Sequence, residues 1–149
     1  AEETGTLVEQ LATQFSSAEV VVRLTAYLEK KEAEVGFKLI RQDETAGEIY
    51  FIESGRVTVY LELESGQKLR LRSMGAGSVV GEVGMYLNLK RSATVVTDRP
   101  SVLYCLQKDK LEWMNRQDPA LAGEFHQFIV RLLSERLTAT NISLKALLE

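Results

Sequence analysis

Glycine, glutamate, arginine and serine stand between positions 81 and 92 in a spacing that could bind a sugar phosphate. Gly81-Glu82 begins a stretch that predicts one brief helical turn, and Arg91-Ser92 follows a few residues later. The first backbone amides of a helix have no partner within it and can bind an anion. The guanidinium of Arg91 can grip the same anion through forked, charge-assisted hydrogen bonds. A carboxylate would repel a phosphate, so Glu82 fits this site only as an acceptor for sugar hydroxyls.

The other reactive side chains do not form a catalytic set. The chain has one cysteine, Cys105, and one histidine, His126. Cys105 stands in an alternating run typical of a strand, and we interpret it as a buried, inert thiol. His126 stands in an amphipathic helical stretch as a partly exposed residue. Because no base–nucleophile pair, acid pair or metal-ligand cluster is present, we expect no enzyme activity, no metal and no cofactor.

Helical periodicity occupies both ends of the chain. Apolar residues recur at helical spacing over residues 1–34, which we assign to two short N-terminal helices. The same period returns over residues 108–149, which we assign to C-terminal helices. There, Asp118 followed by Pro119 predicts the start of a long helix, since aspartate is a favoured cap and proline a favoured first residue.

Between these ends, residues 35–107 show the pattern of short strands separated by glycine-containing turns. Gly66 marks a hairpin turn between two alternating runs. Lys68 to Arg72 alternates basic and apolar residues, which predicts a strand whose basic side chains face water. We therefore predict one domain, residues 1–149, of the α+β class but mainly β: an antiparallel β-roll or jelly roll of about eight strands, flanked by helices.

Composition limits the partners that this domain can have. Its 18 basic and 21 acidic residues give a net charge of −3, and no clustered basic face predicts binding to nucleic acid. No apolar run is long enough to span a bilayer, and no secretory leader is evident. A single cysteine fits a reducing compartment. We expect a cytoplasmic location, either free or as the cytoplasmic domain of a membrane protein.

The glycine–glutamate–arginine segment resembles the phosphate-binding cassette of the cyclic-nucleotide-binding domain family. The resemblance is carried by Gly81-Glu82-Val83-Gly84-Met85 and, after a spacer, by Arg91-Ser92-Ala93, so that the cassette spans residues 81–93. Tyr50 to Val57 is similar to the family's second strand and its turn, and Gly75-Ala76-Gly77 to the turn before the cassette. The resemblance extends from about Leu24 to Leu137.

This resemblance implies roles for individual residues. Arg91 would pair with the cyclic phosphate and Glu82 would accept a hydrogen bond from the ribose 2′-hydroxyl. The backbone near Val83, Gly84 and Ala93 and the Ser92 hydroxyl would complete the phosphate site. The base would lie against Val80 and Leu71, beneath a lid from the last helix. The lid candidates are Phe125, Phe128 and Leu132. Serine at position 92 favours cyclic AMP over cyclic GMP as the ligand.

We thus expect a regulatory sensor that transmits nucleotide occupancy through its C-terminal helices to an attached effector. Several stretches, among them Tyr50–Arg56 and Phe128–Leu137, resemble regulatory domains appended to bacterial sulfate-permease-type anion transporters. The apolar stripe of the last helix continues past Leu137, beyond what a lid needs, and could form a homodimer. The alternative is a structural or dimerisation module with a vestigial cassette, in which Arg91 and Glu82 form only an internal ion pair.

Overall fold

The computed structural model describes residues 6–149, and its N-terminal part is helical as predicted. Helix α1 (Leu7–Leu11) leads through a 3-10 turn (Ala12–Gln14) into α2 (Ala18–Thr25). The Ser17 hydroxyl accepts a hydrogen bond from the Val20 amide at 3.3 Å and caps α2. Two short helices therefore precede the sheets. Residues 1–5 of the predicted helical stretch lie outside the described residues.

The N-terminal helical stretch ends earlier than its predicted limit at residue 34. Strand β1 (Glu29–Ala33) already belongs to a sheet, in which Glu29 pairs with Cys105 and Ala33 with Ser101. Its first four residues are charged and exposed, so the sequence shows no alternation of apolar and polar side chains there. The strand forms through backbone pairing at the sheet edge, which a side-chain pattern does not report.

Eight strands in the described residues form two four-stranded antiparallel sheets, which confirms the predicted roll. The sheet orders are β1-β8-β3-β6 and β2-β7-β4-β5. The remaining strands are β2 (Lys38–Ile40), β3 (Glu48–Ser54), β4 (Arg56–Glu62), β5 (Lys68–Gly75), β6 (Val79–Val80), β7 (Thr94–Thr97) and β8 (Ser101–Gln107). "Mainly β" is a loose description, because the helices hold more residues than the strands.

Three further helices complete the fold. Helix α3 (Glu82–Leu87) connects β6 to β7, and α4 (Lys108–Gln117) follows β8 directly. Helix α5 (Pro119–Leu148) spans 30 residues and begins where the sequence predicts. The Asp118 carboxylate caps it by accepting a hydrogen bond from the Leu121 amide at 3.2 Å. Within residues 6–149, no helix combines the length and apolar character that a membrane span needs.

Buried side chains divide into two clusters. The helical core packs α1, α2, α4 and the first half of α5 against the sheet that contains β3 and β8, and its largest members include Phe51, Phe125, Leu24 and Ile129. The roll core lies between the two sheets and includes Ile52, Val59, Val80, Val95 and Leu103. Helix α3 contributes Met85 to the helical core, while the residues just before it belong to the roll. The segment predicted to bind the ligand thus lies where the two clusters meet.

Candidate functional site

Gly81 sets the geometry of the cassette at the point where β6 turns into α3. Its φ of 91° lies in the left-handed region, which favours glycine. A Cβ at this position would lie 2.8 Å from Nη1 of Arg91 and 2.9 Å from the carbonyl oxygen of Glu48. Both the backbone conformation and the space therefore require glycine, since any side chain would displace the arginine.

Arg91 is buried beside this turn, with 5% of its surface exposed. Its Nη1 donates to the carbonyl oxygen of Gly81 at 2.8 Å, and its Nη2 donates to that of Glu48 at 2.7 Å. The nearest carboxylate oxygen, on the half-buried Glu48 side chain, is 3.9 Å from Nη2. Burial lowers the pKa of Arg91, because desolvation disfavours its charge. The guanidinium is thus held in place by neutral carbonyls and has only a distant counter-charge.

Glu82 is the second buried charge, with 1% of its surface exposed. Its Oε1 is bonded to Nη1 of Arg136 from α5, and Nη2 of the same arginine donates to the carbonyl oxygen of Val79. Its Oε2 is buried and has no hydrogen-bond partner among the described residues. The alternative interpretation assumed an internal ion pair between Glu82 and Arg91. The two side chains do not form one, because the salt bridge of Glu82 is with Arg136 and that of Arg91 is with Glu48.

A cavity between α3, the roll and α5 brings these groups together. Its empty volume is about 470 Å³, including space open to solvent. All the residues predicted to bind a ligand line it except Leu71. The lining residues are Ile40, Val59, Arg72, Val80, Gly81, Glu82, Val83, Gly84, Arg91, Ser92, Ala93, Val95 and Arg136.

Leu71 does not line the cavity in this structure, because β5 presents its other face to it. Leu71 is 46% exposed, and its neighbour Arg72 lines the cavity instead. Arg72 pairs in register with Val59, a buried residue of β4, and paired residues of antiparallel strands share a face. A bulge between Val59 and Tyr60 shifts the register here. Arg72 thus lines the cavity and is still exposed to water, as the alternating pattern predicts for a basic residue of this strand.

The three lid candidates do not lie at the cavity. Phe125 and Phe128 are buried in the helical core, where their rings pack against each other at 6.2 Å, and Phe128 packs against Phe15 at 5.2 Å. Leu132 lines a separate cleft beside α1. In this structure the contribution of α5 to the cavity is Arg136.

Arg136, like Arg72, lines the cavity although the sequence analysis did not assign it to the site. Burial, and the neighbouring charge of Arg72, lower its pKa to about 10. It follows Ile129, Leu132 and Leu133 at helical spacing, so a basic residue continues the inward-facing stripe of α5. A charged residue within the apolar stripe of a helix was the one sign in the sequence that Arg136 has a special role. That Arg136 contacts Glu82 is visible only in the folded structure.

Tyr86 connects α3 to the C-terminal helices. Its hydroxyl lies 2.7 Å from Nδ1 of His126, whose Nε2 lies 2.8 Å from Oδ1 of Asn115 in α4. Its ring packs against Phe125 with centroids 6.3 Å apart. The only histidine therefore belongs to a contact between helices. Cys105 is buried, and its burial raises its pKa to about 11, so the thiol stays protonated at neutral pH.

The chemistry of the cavity follows from its charges. It holds three guanidinium groups, from Arg72, Arg91 and Arg136, and one carboxylate, from Glu82. This balance favours an anion, while the unpartnered carboxylate oxygen favours a hydroxyl donor. In the described part of the chain, no group of three or more His, Cys, Asp or Glu side chains could hold a metal ion. The arrangement suits recognition of an anion that also carries hydroxyl groups.

Comparisons with known proteins agree with this geometry. The family described as cyclic nucleotide-binding domain matches residues 30–118. The chain is 36% identical over 81 residues to a cAMP-dependent protein kinase regulatory subunit of Yarrowia lipolytica, covering 54% of this chain and 20% of that protein. It is 27% identical over 139 residues to Glutaminase 1 of Bradyrhizobium diazoefficiens, covering 93% and 22%. The chain therefore spans about a fifth of the length of these curated relatives.

Solved structures share the fold. A cyclic nucleotide-binding domain from Methylobacillus flagellatus superposes with a TM-score of 0.81 at 22% identity, covering 89% of this chain and 79% of that chain. The family match includes the roll, the cassette and α4, which is more than half of the chain. This chain belongs to the cyclic nucleotide-binding domain family.

Proposed function

We propose that this domain is a sensor that binds a cyclic nucleotide in the cavity beneath α3. The observation that carries this proposal is the state of Arg91. Its guanidinium is buried and fixed by the carbonyl oxygens of Gly81 and Glu48, and its closest carboxylate oxygen is 3.9 Å away. A buried charge without close compensation is costly, and an anion entering the cavity would supply that compensation.

The remaining cavity groups fit the other parts of a cyclic nucleotide. The Glu82 oxygen without a partner can accept from a ribose hydroxyl, and the apolar side chains of Ile40, Val59 and Val80 can contact a base. Ser92 lines the cavity and can donate its hydroxyl to a phosphate. Serine there, together with the name of the Yarrowia lipolytica relative, supports cyclic AMP as the preferred ligand over cyclic GMP.

Occupancy would be transmitted by a population shift. Helix α3 begins at the cavity and ends against the C-terminal helices, where Tyr86 contacts His126 and Phe125. A ligand that binds one position of α3 more tightly than another shifts the equilibrium by that difference in affinity. The movement of α3 would reach α4 and α5 through these contacts. An effector attached to the domain would respond to it, and the sequence resemblance supports a cytoplasmic anion-transporter domain as that context.

Calorimetric titration of the purified domain with cyclic AMP and cyclic GMP tests the proposal. We expect saturable binding with a tighter constant for cyclic AMP. Arg91→Ala should weaken binding by more than about a hundredfold, since hydrogen bonds to charged groups are each worth about 1.5–3 kcal/mol. Arg70→Ala is the matched control, because Arg70 is an exposed residue of β5 and does not line the cavity.

The titration has two outcomes that contradict the proposal. If the wild type shows no binding at millimolar nucleotide, the cavity is not a nucleotide site. If Arg91→Ala and Arg70→Ala bind as the wild type does, binding occurs elsewhere. Thermal melting of each variant without nucleotide shows whether a loss of binding reflects a loss of folding.

A docking or dimerisation module is the second candidate function, and the distal part of α5 favours it. Apolar side chains are exposed there at Leu137, Ile142, Leu144, Leu147 and Leu148. Leu137 and Leu144 are one heptad apart, the spacing of a two-helix seam. Light scattering should give a dimer mass for the wild type and a monomer mass for Leu137→Glu. A monomeric wild type would contradict a homodimer through α5.

A further inference from the structure

Strand β5 lies at an open edge of the sheet β2-β7-β4-β5. It pairs with β4 on one side, and no other strand of the described residues pairs with its second side. Its first five residues, 68–72, are exposed, which is the length of an ordinary strand. Alternate residues of an edge strand direct their N–H and C=O groups away from the sheet, so this edge can accept a further strand.

The side chains of this edge are alternately basic and apolar. In the described part of the chain, the side chains of Lys68, Arg70 and Arg72 form no hydrogen bond or salt bridge. Leu69 and Leu71, which stand between them, are exposed. The edge therefore presents unpaired positive charge together with uncovered apolar surface.

The pairing of β5 with β4 shows which side chains fit against it. Glu62 lies opposite Lys68, and Leu61 lies opposite Leu69. Opposite charges, and apolar side chains, at directly opposed positions stabilise neighbouring strands. A strand added on the free side would meet the same β5 side chains, so a segment of alternating acidic and apolar residues suits it. A second copy of β5 would place basic residues beside basic residues, which is unfavourable.

Strand β1, at the edge of the other sheet, lacks this combination. Its exposed residues are all charged and of both signs: Glu29, Lys30, Lys31 and Glu32. An acidic strand added to β1 would meet two glutamates and no exposed apolar side chain. Both edges offer free backbone groups, but only β5 offers matching side chains to an acidic and apolar segment.

We infer that the β5 edge is a docking site for an extended segment of a partner protein in which acidic and apolar residues alternate, bound by strand addition. This inference goes beyond nucleotide sensing and does not depend on it. The competing interpretation is that the basic side chains only keep the edge from pairing with other chains, as charged edge residues do. Because Arg72 also lines the cavity, the test uses Arg70 and Lys68 instead.

Calorimetric titration of the domain with a soluble synthetic peptide in which glutamate and leucine alternate separates the two interpretations. We expect saturable binding by the wild type. A peptide of the same composition, with its leucines and its glutamates grouped, should bind at least about tenfold more weakly. It has the same charge, but it cannot present acidic residues on one face of a strand and apolar residues on the other.

Alternating peptides that are N-methylated at every second residue test the role of the backbone. An N-methyl group removes the amide donor, and only every second amide of an added strand faces the domain. Methylation of one set of residues should therefore abolish binding, whereas methylation of the other set should preserve it.

Charge reversal on β5 tests the location. Arg70→Glu should weaken binding of the glutamate–leucine peptide by about two- to thirtyfold, because it replaces an attractive cross-strand pair with a repulsive one. The same variant should bind a lysine–leucine peptide more tightly than the wild type does. Lys30→Glu is the matched control, since it makes the same change in charge on the edge strand β1, and it should bind as the wild type does. If Arg70→Glu failed to fold, Lys68→Glu would decide.

Four results would overturn the inference. They are no binding of the alternating peptide to the wild type at millimolar concentration, equal binding of the grouped peptide, equal binding of the two methylated peptides, and equal weakening by Lys30→Glu and Arg70→Glu. None of these measurements involves a nucleotide, so the proposed function is tested separately by its own titration.

Discussion

The helical core and the roll core bury similar kinds of apolar side chains, but they end differently. The helical core is closed by aromatic rings: Phe125 packs against Phe51 and Phe128 at 6.2 Å in each pair. The roll core leads into the cavity, where Arg91 and Glu82 are buried beside Val80 and Val59. One cluster is filled with side chains that need no partner. The other contains charges that do.

This difference separates the source of stability from the site of recognition. Close apolar packing contributes to folding in proportion to the surface that it removes from water. Buried charges contribute little to stability on balance, yet they discriminate strongly between ligands. We therefore expect substitutions in the helical core to change the free energy of unfolding, and substitutions at the cavity to change affinity.

Leu24→Ala should have the largest effect on stability. Leu24 of α2 is fully buried in the helical core and far in sequence from the cassette. Removing a large buried aliphatic side chain costs about 2–5 kcal/mol of unfolding free energy, because it loses buried surface and leaves a cavity. Urea unfolding followed by circular dichroism measures this. Under conditions in which Leu24→Ala is folded, its nucleotide affinity should match that of the wild type. A parallel loss of affinity would contradict the claim that the helical core determines stability and the cavity determines affinity.

Arg91→Ala should show the reverse behaviour. Its affinity for nucleotide falls by more than about a hundredfold, by the argument given for charged hydrogen bonds. Its melting temperature without ligand should change less than that of Leu24→Ala, since the arginine's own burial carries a desolvation penalty. Melting curves with and without saturating nucleotide measure both effects. A loss of stability greater than that of Leu24→Ala would make Arg91 a structural residue.

The smallest effect on stability is expected for substitutions of Asp118, a surface residue at the start of α5. Asp118 caps this helix and contacts Arg23 at 2.5 Å, which lowers the pKa of Asp118 below its ordinary value of 3.8. A lowered pKa means that the ionised group stabilises the fold above the unfolded value, and that this contribution is lost as the pH falls through the folded value. Asp118→Ala should therefore lower the melting temperature by a few degrees at pH 7 and less at acid pH.

Asp118→Asn is the matched variant, because asparagine also caps helices but carries no charge. It should keep the part of the stability that comes from capping and lose the pH-dependent part that comes from the charge facing Arg23. A difference between wild type and Asp118→Ala that stayed constant down to pH 2 would contradict a role for the charge.

The sequence predicted features that depend on neighbouring residues. Gly66 stands in a hairpin turn with a φ of 88°, and Asp118-Pro119 starts a helix, both as predicted. Each of these depends on local backbone preferences, which a short stretch of sequence carries. The cassette could be recognised from the sequence for the same reason, since its residues are consecutive apart from one spacer.

Features that depend on pairing between distant segments were missed. Arg72 faces the cavity because of a bulge in the pairing of β4 and β5, and Arg136 reaches Glu82 from 54 positions away. Phe128 packs against Phe15, and Phe125 packs against Phe51 and Tyr86, so neither ring lies at the cavity. The charged edge strand β1 forms by backbone pairing alone. A single segment does not specify any of these contacts, although the charge in the apolar stripe of α5 marks Arg136 as unusual.

A crystal structure of the domain grown with cyclic AMP would test the central claim most directly. The account predicts the nucleotide in the cavity beneath α3, with a phosphate oxygen within hydrogen-bond distance of the Arg91 guanidinium and the ribose 2′-hydroxyl on Oε2 of Glu82. A nucleotide bound outside this cavity, or bound within it with its phosphate away from Arg91, would contradict the account.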